Sequence, residues 1–433
     1  MMSRLSGSIS VLVLFLLASA CTTNSISNET PSTLPTLNEF GSTSLPELPS
    51  TWTPETRSTN TPWPSDNPTI TWTPWPTSIP TETPSIVIKQ LLGKGTPKIK
   101  TQLAYASYQN NQLDIYFLTD NNPVPELFIG STQDDYFPSW SPDGKSLAFL
   151  RTESYQNIYW ERLYTDLFVV QNLTQTNFTP DMNLLIIEMV WSPNGRYIAF
   201  SASEREPEPM DDDSLDIHLA DIYSQKSEVI VEASGVGCRS ISWSPNNLDL
   251  VFACRGGMIS GLVIDDRIGS NPWFTEFIPA VISEWLPSGE RIAVFDVFGD
   301  LVSIDAEYMR GRDNQEASGI ASWDKQLRAL NYQDKYLEAF SWYPGDDNLF
   351  LVQSEDLIQV VDLNQGEVTS ILGEFKDLKG QFTWGPEGEQ IAFSFFDGND
   401  AELGIVNFKT NTFFRLTDNQ VDDLMPSWRP LPQ

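Results

Sequence analysis

A short motif, Trp followed two positions later by Pro, recurs seven times along this chain of 433 residues. Successive copies begin 42 to 57 residues apart. In most copies Pro is followed by Asp, Asn or Gly, which suit a tight turn, and a strand of alternating apolar residues comes next. The motif residues are Trp140, Trp191, Trp243, Trp285, Trp342, Trp384 and Trp428. Repeats of this length are typical of the blades of a β-propeller, so the sequence predicts an all-β ring.

The two ends of the repeat region are halves of one blade. Trp140 follows Leu103 by 37 residues, and Trp428 follows the equivalent Ile391 by the same 37. The chain therefore enters the ring at a second strand and ends with a first strand that has no hairpin mate. Pairing that last strand with the segment 103–135 completes a blade. We expect seven four-stranded blades closed by pairing of N- and C-terminal strands, with six or eight as alternatives.

Residues 1–20 have the pattern of a targeting segment. Arg4 precedes an apolar run from Val11 to Leu17, and Ala18-Ser19-Ala20-Cys21 ends it. The segment resembles a bacterial lipoprotein signal peptide, in which the Cys becomes the lipidated first residue. The resemblance implies an extracytoplasmic protein held to a bacterial membrane by acyl chains on Cys21. An ordinary secretory signal with an incidental Cys is the alternative.

Residues 21–98 are rich in Ser, Thr and Pro and poor in aliphatic residues. Such a chain buries too little apolar area to offset the entropy of ordering it. We interpret it as a disordered stalk, followed by the propeller at 99–433. The whole chain carries 26 basic and 58 acidic residues, a formal charge of −32, which excludes nucleic acid as a partner.

The repeat itself resembles that of the TolB family of WD-repeat-like propellers. Trp140-Ser-Pro-Asp-Gly-Lys, Leu147-Ala148-Phe149 and Asp166-Leu167-Phe168 carry the resemblance, which extends over residues 99–433. Together with the lipoprotein-like start and the stalk, it implies a monomeric, non-catalytic binding or scaffold module. The expected partner is a protein, a peptide or a glycan.

Enzymes with a similar repeat need residues that this chain lacks. His218 is the chain's only His, so neither a multi-His metal site nor a convincing Ser-His-Asp triad is available, and no nucleophile elbow is present. A cell-surface hydrolase or lyase acting on saccharides through acidic residues in the propeller channel stays the alternative.

Acidic residues are the one kind of reactive side chain in surplus. Two segments are candidates for a divalent cation such as calcium: the run Asp211, Asp212, Asp213, and the turn that contains Asp397 and Asp400. A solvated acidic loop is the preferred interpretation of the run, the turn lacks the terminal bidentate Glu of a calcium loop, and no cofactor or metal is assigned.

Cys238 and Cys254 flank the Trp243 turn. If Trp243 lies opposite Leu250, the two Cys fall within about one residue of facing each other across adjacent strands. A disulfide fits an extracytoplasmic protein, and two buried thiols would also satisfy the pattern.

Overall fold

Short antiparallel sheets follow one another along the chain in this computed structural model. The structure describes residues 86–87, 91–92, 99–119, 122–153, 164–204, 215–232, 237–254, 258–263, 273–274, 280–296, 301–306, 320–322, 339–354, 357–362, 367–373, 378–410 and 412–431. All of them belong to one compact unit, residues 80–433. Within this part of the chain no helix has the length and apolar character needed to cross a bilayer.

The strands are numbered in chain order. The first ten are β1 (Ile86–Val87), β2 (Leu91–Leu92), β3 (Leu103–Gln109), β4 (Gln112–Thr119), β5 (Asn122–Ile129), β6 (Asp134–Trp140), β7 (Ser146–Thr152), β8 (Thr165–Gln171), β9 (Thr174–Asn177) and β10 (Leu184–Trp191). The next ten are β11 (Tyr197–Glu204), β12 (Asp216–Asp221), β13 (Lys226–Val231), β14 (Cys238–Trp243), β15 (Asp249–Cys254), β16 (Met258–Val263), β17 (Trp273–Phe274), β18 (Ala280–Trp285), β19 (Arg291–Asp296) and β20 (Leu301–Asp305). The last ten are β21 (Ile320–Ser322), β22 (Ala339–Trp342), β23 (Leu349–Ser354), β24 (Leu357–Asp362), β25 (Glu367–Gly373), β26 (Leu378–Trp384), β27 (Gln390–Phe396), β28 (Ala401–Asn407), β29 (Thr412–Arg415) and β30 (Asp423–Trp428).

The described strands form seven sheets, and each motif Trp ends the first strand of one sheet. We call each sheet a blade and name it after that Trp. The blades are the Trp140 blade (β6–β9), the Trp191 blade (β10–β13), the Trp243 blade (β14–β17), the Trp285 blade (β18–β21), the Trp342 blade (β22–β25 with β1), the Trp384 blade (β26–β29 with β2) and the Trp428 blade (β30 with β3–β5).

The first strands of the blades lie on the inside of a ring. Those of neighbouring blades contact one another, as β10 contacts β14, β14 contacts β18 and β26 contacts β30. The fourth strand β9, in contrast, has exposed or half-buried residues throughout. The prediction of an all-β propeller is therefore confirmed.

The ring closes by pairing of the two ends of the propeller. β30 pairs with β3 in antiparallel register, with Leu103 opposite Trp428 and Ser107 opposite Asp423. The Trp428 blade thus takes one strand from the C-terminus and three from the N-terminal side, as the equal 37-residue offsets predicted.

Two blades have a fifth strand. β1 pairs in parallel with β25, and β2 pairs in parallel with β29. These two short strands precede the predicted boundary at residue 99, so sheet pairing begins earlier in the chain than composition indicates.

A shared set of hydrogen bonds explains the residues that follow each motif Trp. The hydroxyl of Ser141 donates to Asp143 Oδ1 at 2.7 Å and accepts from the backbone N of Ser146 at 3.0 Å. Gly144 supplies a φ of 66° at the corner. In the Trp243 copy, where Gly is missing, Asn247 takes a φ of 65°, since Asn tolerates the left-handed region. The degenerate copy therefore keeps the same turn.

The motif Trp side chains lie in the seams between blades. Trp140 stacks on Phe117 of the Trp428 blade with ring centroids 5.4 Å apart, and Trp243 stacks on Tyr197 of the Trp191 blade at 6.2 Å. Trp191 donates from its indole N to the Ser139 carbonyl of the Trp140 blade at 3.0 Å. These contacts give the Trp residues a packing role.

The ring has two faces. On the turn face, the Trp-x-Pro turns join first to second strands. On the opposite face, which we call the loop face, second strands connect to third strands and each blade connects to the next. The loop face carries the residues of chemical interest described below.

Candidate functional site

The strongest grouping of metal-ligating side chains lies on the loop face of the Trp384 blade. Asp397 and Asp400 stand in the turn between β27 and β28, and Glu402 is the second residue of β28. One carboxylate oxygen from each residue lies within 4.8 Å of the others. We call these three residues the carboxylate cluster. The sequence singled out Asp397 and Asp400 but not Glu402.

The turn that brings the cluster together is fixed by local hydrogen bonds. Asp397 Oδ1 accepts from the backbone N of Asn399 at 2.9 Å, and the backbone N of Asp397 donates to the Asp400 carbonyl at 3.1 Å. Between them Gly398 has a φ of 111°, which side chains rarely allow. The sequence Asp-Gly-Asn-Asp therefore folds back so that its first and last carboxylates face the start of β28.

Arg415 on β29 pairs with this cluster. Its Nη2 donates to Asp397 Oδ2 at 2.7 Å and to Glu402 Oε1 at 2.8 Å, and it also lies 3.0 Å from exposed Asp418 Oδ1. The pKa of Asp397 is lowered by the backbone hydrogen bond from Asn399 and further by Arg415. One guanidinium leaves the three carboxylates with an excess of negative charge.

Glu402 is fully buried and only half satisfied. Its Oε1 accepts from Arg415 and from the backbone N of Asn419 at 2.8 Å. Its Oε2 is buried and has no hydrogen-bond partner among the described residues, and the same holds for Asp400 Oδ1. Burial, then the charges of Glu402, Asp397 and Asp422, raise the pKa of Asp400 to about 6. Two carboxylate oxygens of the cluster thus lack a donor within this part of the chain.

A further buried carboxylate, Asp423, lies across the seam in the Trp428 blade. Asp423, the first residue of β30, is fully buried and accepts from the hydroxyl of Ser107 at 2.5 Å and from Asn419 Nδ2 at 2.7 Å. Burial raises the pKa of Asp423 to about 6, against the opposing effect of these hydrogen bonds. The hydroxyl of fully buried Tyr105 has no hydrogen-bond partner in the described residues. Burial first, then the charges of Asp423 and other groups including Glu402, raise its pKa.

The acidic character continues around one sector of the loop face. Described carboxylates there, in the Trp384, Trp428 and Trp140 blades, are Asp397, Asp400, Glu402, Asp418, Asp422, Asp423, Asp114, Asp134, Asp135, Glu153, Asp166 and Asp181. We call this set the acidic sector. Arg151 and Arg415 lie among them, but each is already paired: Arg151 Nε donates to Asp135 Oδ1 at 2.5 Å, and Arg415 pairs with the cluster. The sector keeps a net negative charge.

One position of the ladder between first and second strands is used differently from blade to blade. In the Trp140 blade Asp135 faces Arg151, and in the Trp428 blade Asp423 faces Ser107. In the Trp243 blade the equivalent pair is Cys238 and Cys254, which face each other and form a disulfide. The first strand is thus fastened to the second near the loop face by an ion pair, a hydrogen bond or a covalent bond.

Besides Asp134, Asp135 and Asp423 at the loop-face ends of their strands, the described inner strands carry Glu188 and Glu284, where the sequence-based alternative placed an acidic catalyst. Glu188 on β10 has a structural role, because its two oxygens accept hydrogen bonds from the backbone N of Ser240 and of Ile241 at 2.9 Å each. Glu284 on β18 has its pKa raised to about 8 by burial. Glu284 is therefore the inner carboxylate suited to hold a proton near neutral pH.

His218 is part of the blade core. It is 2% exposed, stacks on Phe200 with ring centroids 4.9 Å apart, and has no hydrogen-bond partner on either ring N within the described residues. Burial lowers the pKa of His218 to about 4. This environment supports neither proton transfer nor metal binding by the imidazole.

The pKa of His218 predicts an acid-sensitive stability. The folded-state pKa of His218 lies below the value of about 6.5 in an unfolded chain. The free energy of unfolding should therefore decrease as pH falls from about 6.5 towards 4, because the unfolded chain takes up the proton first. We expect His218→Leu to gain stability relative to the parent by up to about 3 kcal/mol between pH 7 and pH 4. Urea unfolding at several pH values measures this. Phe200→Leu removes the stacking partner but no titrating group, so its free energy of unfolding should lie below that of the parent by the same amount at every pH. A difference in stability between His218→Leu and the parent that does not change with pH would contradict the lowered pKa of His218.

The remaining sequence-based candidates lie outside the described residues. These are the lipidation residue Cys21 and the acidic run Asp211, Asp212 and Asp213. Glu402 carries a sequence signal of its own, because it occupies the acidic position that opens the third strand of the repeat, five residues after Asp397.

Known structures share the propeller fold of this chain. TolB from Acinetobacter baumannii is similar at 17% identity and a TM-score of 0.45, over 77% of this chain and 68% of TolB. An oligogalacturonate lyase in complex with manganese is similar at 13% identity and a TM-score of 0.51, over 72% of this chain and 88% of the lyase. No family model and no curated protein sequence matches the chain. The similarity to the lyase, at 13% identity, shows the fold alone, and the predicted β-propeller fold is confirmed at that level.

Proposed function

We propose that the chain is a membrane-tethered, extracytoplasmic binding module whose propeller presents its loop face to a protein or peptide partner. The observation that supports this most directly is the acidic sector, which spans three successive blades and carries more carboxylates than its two paired Arg residues neutralise. Charge of one sign concentrated on one face attracts partners of the opposite sign and speeds their encounter. A segment rich in Lys and Arg is the partner that this surface favours.

The tether supports the same role. A lipid on Cys21, followed by a stalk up to about residue 85, would hold the ring outside the cytoplasm and free to turn its loop face to other envelope components. The buried His218, whose ring N atoms have no partner in the described part of the chain, agrees with a module that binds rather than catalyses.

Crosslinking the lipoprotein in its native envelope tests the proposal. We expect captured proteins to be lost when Asp181→Asn and Asp418→Asn neutralise two exposed loop-face carboxylates, because the attraction weakens. The matched control is Asp143→Asn with Glu290→Gln, two exposed carboxylates near the turn face, which should leave capture unchanged. Cys21→Ala should abolish lipid labelling and release the protein from the membrane.

Either of two results would contradict the proposal. Equal capture by both double variants would show that the loop face does not recognise the partner. Membrane association of Cys21→Ala with its lipid label intact would show that Cys21 does not carry the lipid tether. Capture of a glycan instead of a protein would change the class of partner.

The raised pKa of Glu284 favours a second candidate function, that of a hydrolase or lyase acting on saccharides. A pKa of about 8 keeps Glu284 protonated near neutral pH, as a general acid requires, although a pair of carboxylates is the usual arrangement. Turnover of an oligosaccharide by the native protein, abolished in Glu284→Gln, would establish this function in place of the first.

A further inference from the structure

We propose that Asp397, Asp400 and Glu402 bind one calcium-sized divalent cation at the seam between the Trp384 and Trp428 blades. This proposal is independent of the partner proposed above. It rests on the positions of three carboxylates, on the unmet hydrogen-bonding capacity of Asp400 and Glu402, and on the charge that surrounds them.

Distance is compatible with a single shared ion. One oxygen of each carboxylate lies within 4.8 Å of the others. Calcium binds oxygen ligands at about 2.4 Å, so one ion can join oxygens up to about 4.8 Å apart, whereas magnesium, at about 2.1 Å, requires them closer. The ligand set contains only oxygen, which suits a hard cation.

The unpaired oxygens show where the ion would bind. Glu402 uses Oε1 for Arg415 and Asn419, which leaves its fully buried Oε2 without a donor among the described residues. Asp400 Oδ1 is buried and has no partner in the same part of the chain. A buried carboxylate oxygen without a partner is costly, and a bound cation removes that cost. Arg415 donates to Glu402 Oε1 and to Asp397 Oδ2, which leaves Glu402 Oε2 and Asp400 Oδ1 as the oxygens available to the ion.

Tyr105 adds an observation independent of the acidic residues. It comes from β3 in the neighbouring blade, is fully buried, and its hydroxyl has no partner within the described part of the chain. The charges of Asp423 and Glu402 both act on it. A neutral, unpartnered hydroxyl that feels the charge of Glu402 can donate a hydrogen bond to a water held by the cation.

Net charge agrees with a divalent ion. Three carboxylates with one guanidinium leave two negative charges, and Asp422 and Asp423 add more nearby. Because Ala401 at the start of β28 donates to Asp422 Oδ1 at 2.8 Å, an ion at the cluster would also steady the connection that leads into the closing strand β30.

Terbium luminescence and calcium titration test this on the full chain after treatment with a chelator. Terbium, a calcium substitute, should emit on excitation of nearby aromatic residues, and calcium should displace it at a stoichiometry of one. We expect Asp400→Asn and Glu402→Gln each to weaken binding at least about tenfold, as loss of a charged ligand does. Magnesium should compete at least about tenfold less well than calcium, because three fixed carboxylates suit its smaller shell poorly.

Asp166→Asn is the matched control, since Asp166 occupies the position of Glu402 in the Trp140 blade and should leave binding unchanged. Asp400→Asn lies in a turn, so it tests the site even if Glu402→Gln does not fold. Absence of binding up to about 10 mM calcium, above the range of weak extracellular sites, would overturn the proposal. Undiminished binding by Asp400→Asn would do so too, because the ion would then lie elsewhere.

Discussion

Removal of residues 425–433 is expected to unfold the whole ring. The deletion takes most of β30, the first strand of the Trp428 blade, and leaves β3 without its partner at the inner edge. A propeller avoids exposed inner edges only while it is closed, so the loss is not confined to one blade.

The side chains that this deletion removes hold three blades together. Trp428 is 5% exposed and packs in the seam with Leu403 and Ile405 of the Trp384 blade. Arg429 donates from Nε to the Gly144 carbonyl at 2.8 Å and lies 4.8 Å from the ring centroid of Trp140. Its backbone N donates to the Gln102 carbonyl at 2.8 Å. Loss of a buried Trp alone costs about 3–5 kcal/mol, a large part of the stability of a typical domain.

Circular dichroism and thermal unfolding measure this effect. Deletion of residues 431–433 is the matched control, since it keeps β30 and Arg429 and removes the partly exposed Leu431. Deletion of residues 30–70, in the predicted stalk, should also leave the unfolding transition unchanged. A cooperative transition at the native temperature after removal of 425–433 would show that β30 does not close the ring.

The closure and the turns were predictable because their causes are local and repeated. Pro142, Asp143 and Gly144 specify a turn through their own φ preferences, and Ser141 completes it with hydrogen bonds inside the same turn. The equal offsets at the two ends of the repeat then required β30 and β3 to belong to one blade. These inferences needed no knowledge of contacts between blades.

The carboxylate cluster was only half predictable because its missing parts come from other strands. Asp397 and Asp400 are neighbours in sequence, but Arg415 comes from β29, and Tyr105 comes from β3, almost three hundred residues earlier in the chain. Glu402 looks like any other acidic residue that opens a third strand. Its unpaired Oε2 is a consequence of packing at the seam, and strand periodicity carries no information about that.

The Cys pair shows how a bulge changes a prediction made from regular register. With Trp243 opposite Leu250, a regular ladder leaves Cys238 one residue out of step with Cys254. The structure has a register shift between Arg239 and Ser242, and it brings the two Cys directly opposite each other. The Trp140 and Trp428 blades contain a shift in the same part of their first strands, so the bulge belongs to the repeat.

The disulfide is expected to give the second largest effect on stability. It joins residues separated by 16 positions, and a cross-link that closes a loop of about this size stabilises by about 3 kcal/mol through the unfolded chain. Cys238→Ala with Cys254→Ala should therefore lower the urea midpoint of unfolding. A reductant should lower the midpoint of the parent protein by a similar amount and leave the double variant unaffected.

Asp135→Ala with Arg151→Ala is the matched control, because the pair occupies the equivalent ladder position in the Trp140 blade without a covalent bond. Its unfolding should be as sensitive to reductant as that of the parent, since its disulfide is intact. Mass measurement after alkylation supplies the direct test: Cys238 and Cys254 should be modified only after reduction. Modification of both Cys in the unreduced, unfolded protein would mean that two buried thiols fill this position. Packing alone would then hold the first strand of the Trp243 blade to the second, where the Trp140 blade has an ion pair.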